Sequence, residues 1–533
     1  KSEGNLKMVG VGGNYDNLGA TFAVDAADSE GWYWEYRSIG NDESTVIGFA
    51  DPQNAQFNQS DPSGSFTNDG DGKGYMGNGN KRNSGSAASY GNSWTGGDIL
   101  GIAVKSGAVY FYKNGTIQAS GAAAYSSITG LITPAFGING THSGTANFGQ
   151  DSSFAGTETA QGNTDGNGIG DFYYAPPSGY KALCSANLEE PTIGPNSATQ
   201  ADDYFNSVLY TGNGGTLAVD GFGHQPDLLW IKSRNITGNH RWTDSSRGVT
   251  NNIISNSSDA EKGSSDAEDI DSFDTDGFTV TQASYDDFND ASDTYVAWNW
   301  KANGGTTVSV SESGNNPANV RQTNVTAGFS IITYTGTGAA GTIAHGLGVA
   351  PKAIITKKRN ASGNWASYFG TADVTDPQTD ALYLDLTDAR TDSADFWNDT
   401  APTASVYSIQ DAGDTNTNDH TYVAYVFAEV EGYSKIGSYT GNGSTDGAFV
   451  FTGFKPAWVM VKRTDSANNW VINDSTRTPS NEITGSSSTL YADVDGHEGN
   501  YDTNVDFLSN GFKARTTGGH RNASGTYIYM AFA

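Results

Sequence analysis

Three short stretches set the pattern of apolar and polar positions along this chain. LLWIK at 228–232, AIITK at 353–357 and WVMVK at 458–462 are nearly unbroken apolar runs, ending in Lys232, Lys357 and Lys462. A strand with one wet face alternates, so runs this continuous predict central strands covered on both faces. Pro226, Pro351 and Pro456 mark where each strand begins, a place where a missing N–H costs little.

Two further patterned runs accompany each of them. Upstream stand YTGNG from Tyr210, YTGTG from Tyr334 and YTGNG from Tyr439; downstream stand the closing strands YVAWNW from Tyr295, YVAYVF from Tyr422 and YIYMAF from Tyr527. The prolines lie 125 and 105 residues apart, the upstream tyrosines 124 and 105, the downstream tyrosines 127 and 105. Three landmarks in one order at nearly constant offsets make three copies of one unit. A hairpin signal, FDTDGFTV at 273–280, recurs as FLSNGFKA at 507–514, with Asp276-Gly277 and Asn510-Gly511 as turn dipeptides. Each copy is expected to be a β-sandwich of about 100 residues with an aromatic core of its own, strung as a separate bead.

Residues 1–155 follow another plan. GWYWEYRSIG at 31–40 sets large aromatics along a strand, and GDILGIAVKSGAVYFYKNGT at 97–116 reads as two strands with turns at Lys105-Ser106-Gly107 and Lys113-Asn114-Gly115. Trp32, Tyr33, Trp34 and Glu35, the GDILG of 97–101, the VYFYKNG of 109–115, Pro134-Ala135-Phe136 and the NFGQ of 147–150 follow in an order and spacing that resembles the SPRY (B30.2-like) family. That resemblance covers most of residues 20–155. It implies a bent, concanavalin-like β-sandwich that binds peptides or other ligands through loops at one end and is not an enzyme.

FYYAPPSGYKALCSANLEEPTI at 172–193 resembles the connector that follows such a domain in phage virion proteins. The three copies, through GFKPAWVMVKR, SYTGNG and TYIYMAF, resemble repeated domains of bacteriophage tail and appendage proteins. The expected architecture is all-β, with tandem, jelly-roll-like sandwiches. A SPRY-like domain spans 1–155, a linker 156–200, the repeats 201–303, 329–432 and 433–533, and a second linker 304–328.

Composition supports the β reading. With 68 glycines, 14 prolines, 12% aromatic residues and no long stretch that reads as helix, short strands between Gly, Asn and Asp turns account for the chain. Aromatic residues this frequent can offset the ordering entropy and argue against disorder. The formal charge of −30, from 59 acidic and 29 basic residues, is spread along the chain and repels nucleic acid and anionic membranes. One cysteine, Cys184, excludes an intramolecular disulfide. The triplets at Asn114, Asn235 and Asn442 are expected by chance at this Asn, Ser and Thr content. No apolar run approaches the roughly 18–20 residues a bilayer span needs, so no membrane insertion is expected. The start at Lys1, without Met or a signal peptide, reads as a piece of a longer or processed polypeptide.

Candidate chemistry is sparse. In NTDGNGIGD at 163–171, Asn163, Asp165, Asn167, Gly168, the Ile169 carbonyl and Asp171 fall where a calcium loop places its ligands, although Tyr174 stands where the bidentate acid belongs. The competing reading is a Gly/Asn-rich turn, and Ca2+ is the one cofactor the sequence suggests. TDSSR at 243–247 and NDSTR at 473–477 place Asp244 with Arg247 and Asp474 with Arg477, as a cleft or as turns closed by an ion pair; copy two breaks the pattern with GTADV. The acidic run at 264–277 reads as a cation binder or a solvated loop. Trp94, Trp242, Trp365 and Trp470 could stack on sugar rings, or pack in the core, as the repeat spacing of the last two favours. The seven histidines show no metal-ligand spacing, and neither a nucleophile elbow nor a phosphate loop is present.

These readings converge on a virion structural protein, not an enzyme: a tail fibre or appendage at the particle surface that projects sandwiches toward a host-surface glycan or protein. Its expected partners are other virion proteins and further copies of itself, although no coiled-coil heptad marks a trimer. The alternatives are a decoration protein that binds no receptor and a bacterial adhesin or filament subunit.

Overall fold

The computed structural model describes residues 6–533 except 11, 13–14, 41–42, 53–56, 58–63, 69, 189–190, 195–197, 264–269, 282–287, 372–375, 446, 482–487 and 500–503. The chain divides into two compact units, Lys1–Glu189 with Phe449–Phe451, and Glu190–Ala448 with Thr452–Ala533.

In the first unit two antiparallel sheets face each other. One runs, in spatial order, through Lys7–Val9, Ser143–Asn147, Gly31–Ile39, Ile99–Lys105, Ala108–Lys113 and Thr116–Ile117; the other through Tyr15–Gly19, Leu131–Asn139, Val46–Ala50, Gly72–Met76, Asn80–Asn83 and Ser86–Ser89. Alternation along the central strand places Trp32, Trp34 and Tyr36 in the core between the sheets, with Ile47, Phe49, Tyr75 and Phe136. Tyr33 and Glu35 therefore face outward, yet both are buried. Residues 163–182, expected as linker, cover them: Phe172 and Ala182 pack on Tyr33, and Tyr180–Ala182 adds a parallel strand beside Gly31–Tyr33. The sandwich thus continues past residue 155, because its outer face needs this cover.

The second unit repeats one topology three times. The large sheet of the first copy runs Phe205–Thr211, Thr294–Trp300, Leu228–Ser233, Arg241–Asp244, Asn252–Ile254. The second copy runs Phe329–Thr335, Thr421–Phe427, Ala353–Lys358, Ala366–Phe369, Asp380–Tyr383, and the third Ser434–Gly441, Gly525–Phe532, Trp458–Arg463, Val471–Asp474, Leu490–Tyr491. A smaller sheet covers one face: Leu217–Asp220 with the hairpin 270–280 in the first copy, Gly341–Ala344 with Val406–Ile409 in the second. The third repeats the hairpin as Val505–Leu508 and Gly511–Ala514. In the second copy the short helix Ala394–Trp397 stands before Val406–Ile409, so the hairpin motif is lost there.

The sequence landmarks acquire physical roles. Tyr210 stacks on Tyr295, Tyr334 on Tyr422 and Tyr439 on Tyr527, with ring centroids 5.0, 5.1 and 5.1 Å apart, directly across the strand pair. The glycine two residues on is required by close approach: a Cβ at Gly212, Gly336 or Gly441 would run into the backbone carbonyl of Asp290, Thr417 or Ala523. A buried asparagine closes each knot, Asn289, Asn416 or Asn522 accepting from the backbone N–H of Asn213, Thr337 or Asn442.

The copies are not separate beads. The second face of each large sheet packs into one common core holding Trp230, Trp298 and Trp300 from the first copy, Ile355, Tyr425 and Phe427 from the second, and Trp458, Met460 and Phe532 from the third. Trp300, Phe427 and Phe532 end the three equivalent strands and touch one another, with centroids 6.2, 5.9 and 5.5 Å apart. The unit is a closed ring of three copies about these residues. The expected linker at 304–328 is also structured, since Val308–Val310 and Asn319–Asn324 extend the second copy's sheet.

Candidate functional site

The loop at 163–171 is a tight hairpin built on Asp165. Asp165 Oδ1 accepts the N–H groups of Asn167 and Ile169 at 2.9 and 3.0 Å, and Oδ2 accepts Ala182 N at 2.8 Å and Asn187 Nδ2 at 2.7 Å. Burial pushes this carboxyl up, but the four donors outweigh it and hold its pKa below the usual value. The Ile169 carbonyl accepts Asp165 N, Asn163 Nδ2 donates to the carbonyl of Tyr173, and Asn167 Nδ2 donates to Asn187. Asp171 keeps one buried oxygen without a donor. A cation at Asp165 would have to displace the donors already on its carboxylate.

Sequence reasoning used Glu35, an acid set among aromatics in WYWEY, only as a landmark of the SPRY resemblance and gave it no role. It is fully buried, and its carboxylate accepts Tyr173 N at 3.0 Å, Tyr174 N at 2.8 Å, Asn147 Nδ2 at 3.2 Å and Tyr33 Oη at 3.3 Å. Burial raises its pKa to about 7 against the pull of these donors. Glu35 clasps the 172–174 segment onto the sheet.

Asp244 and Arg247 form a buried pair at 2.5 Å, and Arg247 continues to Glu261 at 2.5 Å. Glu261 in turn takes Arg359 of the second copy through two hydrogen bonds, at 2.9 and 2.8 Å, and Tyr425 donates to Asp244 at 2.8 Å. The third copy repeats this against the first: Asp474 pairs with Arg477, Arg477 reaches Glu498, Glu498 takes Arg234, and Trp298 donates to Asp474 at 2.9 Å. These residues are rivets between copies. The second copy has Phe369 in place of the aspartate, and there an aromatic contact with Trp470, centroids 5.6 Å apart, joins it to the third.

The tryptophans are equally committed. Trp94, Trp242, Trp365 and Trp470 are all buried. Trp365 Nε1 donates to the Ile254 carbonyl of the first copy and Trp470 Nε1 to the Tyr383 carbonyl of the second. The lysines ending the central strands are buried as well, and Lys462 gives its protons to the carbonyls of Thr387, Arg463 and Asn468. Burial pushes Lys357 and Lys462 down to about 8, with Asp385 and Asp493 nearby opposing it. Of the acidic run, residues 264–269 lie outside the described residues; Asp274 accepts from Ser272 and Thr279 within its hairpin. Among the described residues no three His, Cys, Asp or Glu side chains gather to hold a metal.

In the second unit an open cleft of about 400 Å³ lies between the first and third copies, walled by Asp202, Phe205 and Ser207 on one side and Ala457, Ser475 and Thr476 on the other.

A family model described as a domain of unknown function (DUF7483) matches residues 200–533, and a SPRY domain model matches residues 31–151. No curated protein matches the chain. Among solved structures, the SPRY domain of human HERC1 is similar at 16% identity, covering 27% of this chain and 89% of that one, with a TM-score of 0.22. A human SPRY domain is similar at 17% identity over 27% and 91%, with a TM-score of 0.22.

Proposed function

The chain belongs to the family of the domain of unknown function DUF7483 and carries a SPRY domain ahead of it, and from that premise we propose a bacteriophage virion protein, a tail fibre or appendage component that is structural and not catalytic. One observation carries the reading: the residue types that could have served chemistry are spent on holding three copies in a ring. Asp244, Arg247, Asp474, Arg477 and the buried lysines satisfy one another or backbone groups across or beside the seams. A ring of this kind does within one chain what a trimer does between chains, and suits a rigid projecting element.

In this reading the protein faces a host-surface glycan or protein at the particle exterior. Weak individual sites would gain from several chains on one particle, because effective concentration substitutes for affinity. The test is binding of the labelled chain to intact host cells, with free host polysaccharide as competitor. Saturable, competed binding supports attachment, and absence of binding by folded protein to a susceptible host sinks it.

A second reading, decoration without a receptor, is favoured by the burial of Trp94, Trp242, Trp365 and Trp470, which removes the aromatic platforms a sugar would need. Extensive protection of the chain's surface in intact particles, with no cell binding, would select it.

A further inference from the structure

Arg521 is a fully buried cation of the third copy beside which no carboxylate stands. Of its nitrogens only Nη2 meets an acceptor, the Oδ1 of Asn473, while Nε and Nη1 are buried without one. Asn473 is held for this contact, its Nδ2 donating to Thr489 Oγ1 at 3.0 Å. Burial pulls the guanidinium pKa down, and the groups opposing it are Tyr439, Tyr491 and Tyr527. Burial raises the phenols of Tyr439 and Tyr527 too, the latter to about 12, so these two are neutral and supply no countercharge. A guanidinium keeps its proton at any working pH, so Arg521 cannot neutralise itself as a buried carboxyl or lysine can. An uncompensated charge in a protein interior is strongly destabilising.

The other copies show that the fold does not require a charge at this position. The carbonyls of Phe288, Thr415 and Arg521 accept from the hydroxyls of Tyr210, Tyr334 and Tyr439, so the three residues correspond. Strand register likewise matches Asn473 to Thr243 and Tyr368. In the second copy Trp397 packs against Tyr368, with centroids 5.8 Å apart, and fills this layer with apolar surface. In the first copy Arg241 lies over the Phe288 ring at 5.8 Å and its Nη1 donates to Asn252 at 2.9 Å. The first and third copies therefore both place a guanidinium in this layer, and they deliver it from different positions in the repeat. A charge that persists while its side chain changes place is kept for what it holds.

We propose that Arg521 holds a small inorganic anion of the chloride type inside the third copy, against the guanidinium N–H groups that lack an acceptor. A halide suits these partners because it only accepts. The hydroxyls nearby are already committed as donors, Tyr439 to the Arg521 carbonyl and Tyr527 to the carbonyls of Gly519 and Ala523. One negative charge balances the guanidinium, whereas a dianion such as phosphate would replace one uncompensated charge with another. A carboxylate on another chain cannot reach a fully buried group. The bound anion is structural, and its role is the same whatever surface the chain attaches to.

The test is a thermal melt of the whole chain in sodium gluconate, with chloride exchanged in at constant ionic strength. Chloride should stabilise the folded chain saturably, by about tenfold in the folding equilibrium, read as a rise of about 2–4 °C in melting temperature. Arg521→Met, similar in length but uncharged, should show no such rise and should match or exceed wild type in gluconate, where the cation stands unpaired. In a crystal grown with bromide, an anomalous scatterer should lie within hydrogen-bond distance of the Arg521 guanidinium, which tests the site even if the variant fails to fold. A wild-type melt indifferent to chloride, an equal rise in Arg521→Met, or no bromide beside Arg521 overturns the proposal.

Discussion

Glu261 and Arg359 meet carboxylate to guanidinium across the seam between the first and second copies, and the same carboxylate also takes Arg247 of its own copy. Burial alone would push Glu261 up; Arg359 and Arg247 outweigh it and hold the carboxyl below its usual pKa. Glu498 stands in the same relation to Arg234 and Arg477. Paired charges inside a protein gain little over apolar packing, but removing one partner leaves the other buried and uncompensated.

Asp244→Ala should therefore destabilise the chain by about 3–5 kcal/mol, since Arg247 and the Tyr425 hydroxyl both lose their buried acceptor. Denaturant melts would measure it. A loss below about 1 kcal/mol would mean the pair is solvated and does not rivet the seam. Glu261→Gln combined with Arg359→Gln in a double-mutant cycle should show coupling of about 1 kcal/mol, as both side chains are partly exposed.

Trp300→Ala tests the shared core. Trp300 touches Phe427 of the second copy and Phe532 and Trp458 of the third, so truncation opens a cavity at the centre of the ring. The expected cost is about 3–5 kcal/mol. If the copies were independent beads, the loss would be confined to the first; hydrogen exchange should instead show loosening of Phe427 and Phe532 strands together with that of Trp300.

The repeat was legible in the sequence because stacked tyrosines and crowded glycines tolerate no drift, so Tyr210, Tyr334 and Tyr439 with their following glycines recur at fixed offsets. The burial of both strand faces was legible too, in LLWIK and its equivalents. What covered the second face was not. An apolar run states that a partner exists without naming it, and Trp230 reads the same whether it packs on its own copy or on Trp458. The Asp244–Arg247 motif was visible as a recurrence, but its meaning lay in Arg359 and Tyr425, more than 100 residues away. At 163–171 the pattern of oxygens matched a calcium loop because turns and calcium sites use the same residues, and only the donors around Asp165 distinguish them.

Calcium removal checks that last point. With Asp165 already accepting four hydrogen bonds, adding millimolar calcium or a chelator should move the melting temperature by less than about 1 °C. Asp165→Asn should destabilise by about 1–3 kcal/mol regardless of calcium, because its new amide group would face N–H donors. A calcium-dependent rise in wild-type stability, lost in the Asp165→Asn variant, would restore the metal reading.

Glu35 gives the chain a pH dependence whose sign can be worked out. Its ordinary pKa of 4.5 is raised by burial to about 7 in the folded chain. Between those values the folded state binds more protons than the unfolded state, so Glu35 makes stability fall as pH rises through that window, with the full penalty present above about 7. The contribution is on the order of 3–4 kcal/mol. Glu35→Gln cannot titrate, so the stability of wild type relative to the variant should fall as pH is raised through the window. At low pH Glu35 is itself protonated and, like the amide, cannot accept from Tyr173, Tyr174, Asn147 and Tyr33 together, so the two proteins should lie within about 1 kcal/mol of each other there. Asp385 and Asp493, raised to about 6 by burial, add slope in the second unit, and subtracting the two melts at each pH removes it. A difference independent of pH would show that the four donors keep Glu35 ionised throughout, and that the clasp on residues 172–174 is set by hydrogen bonds alone.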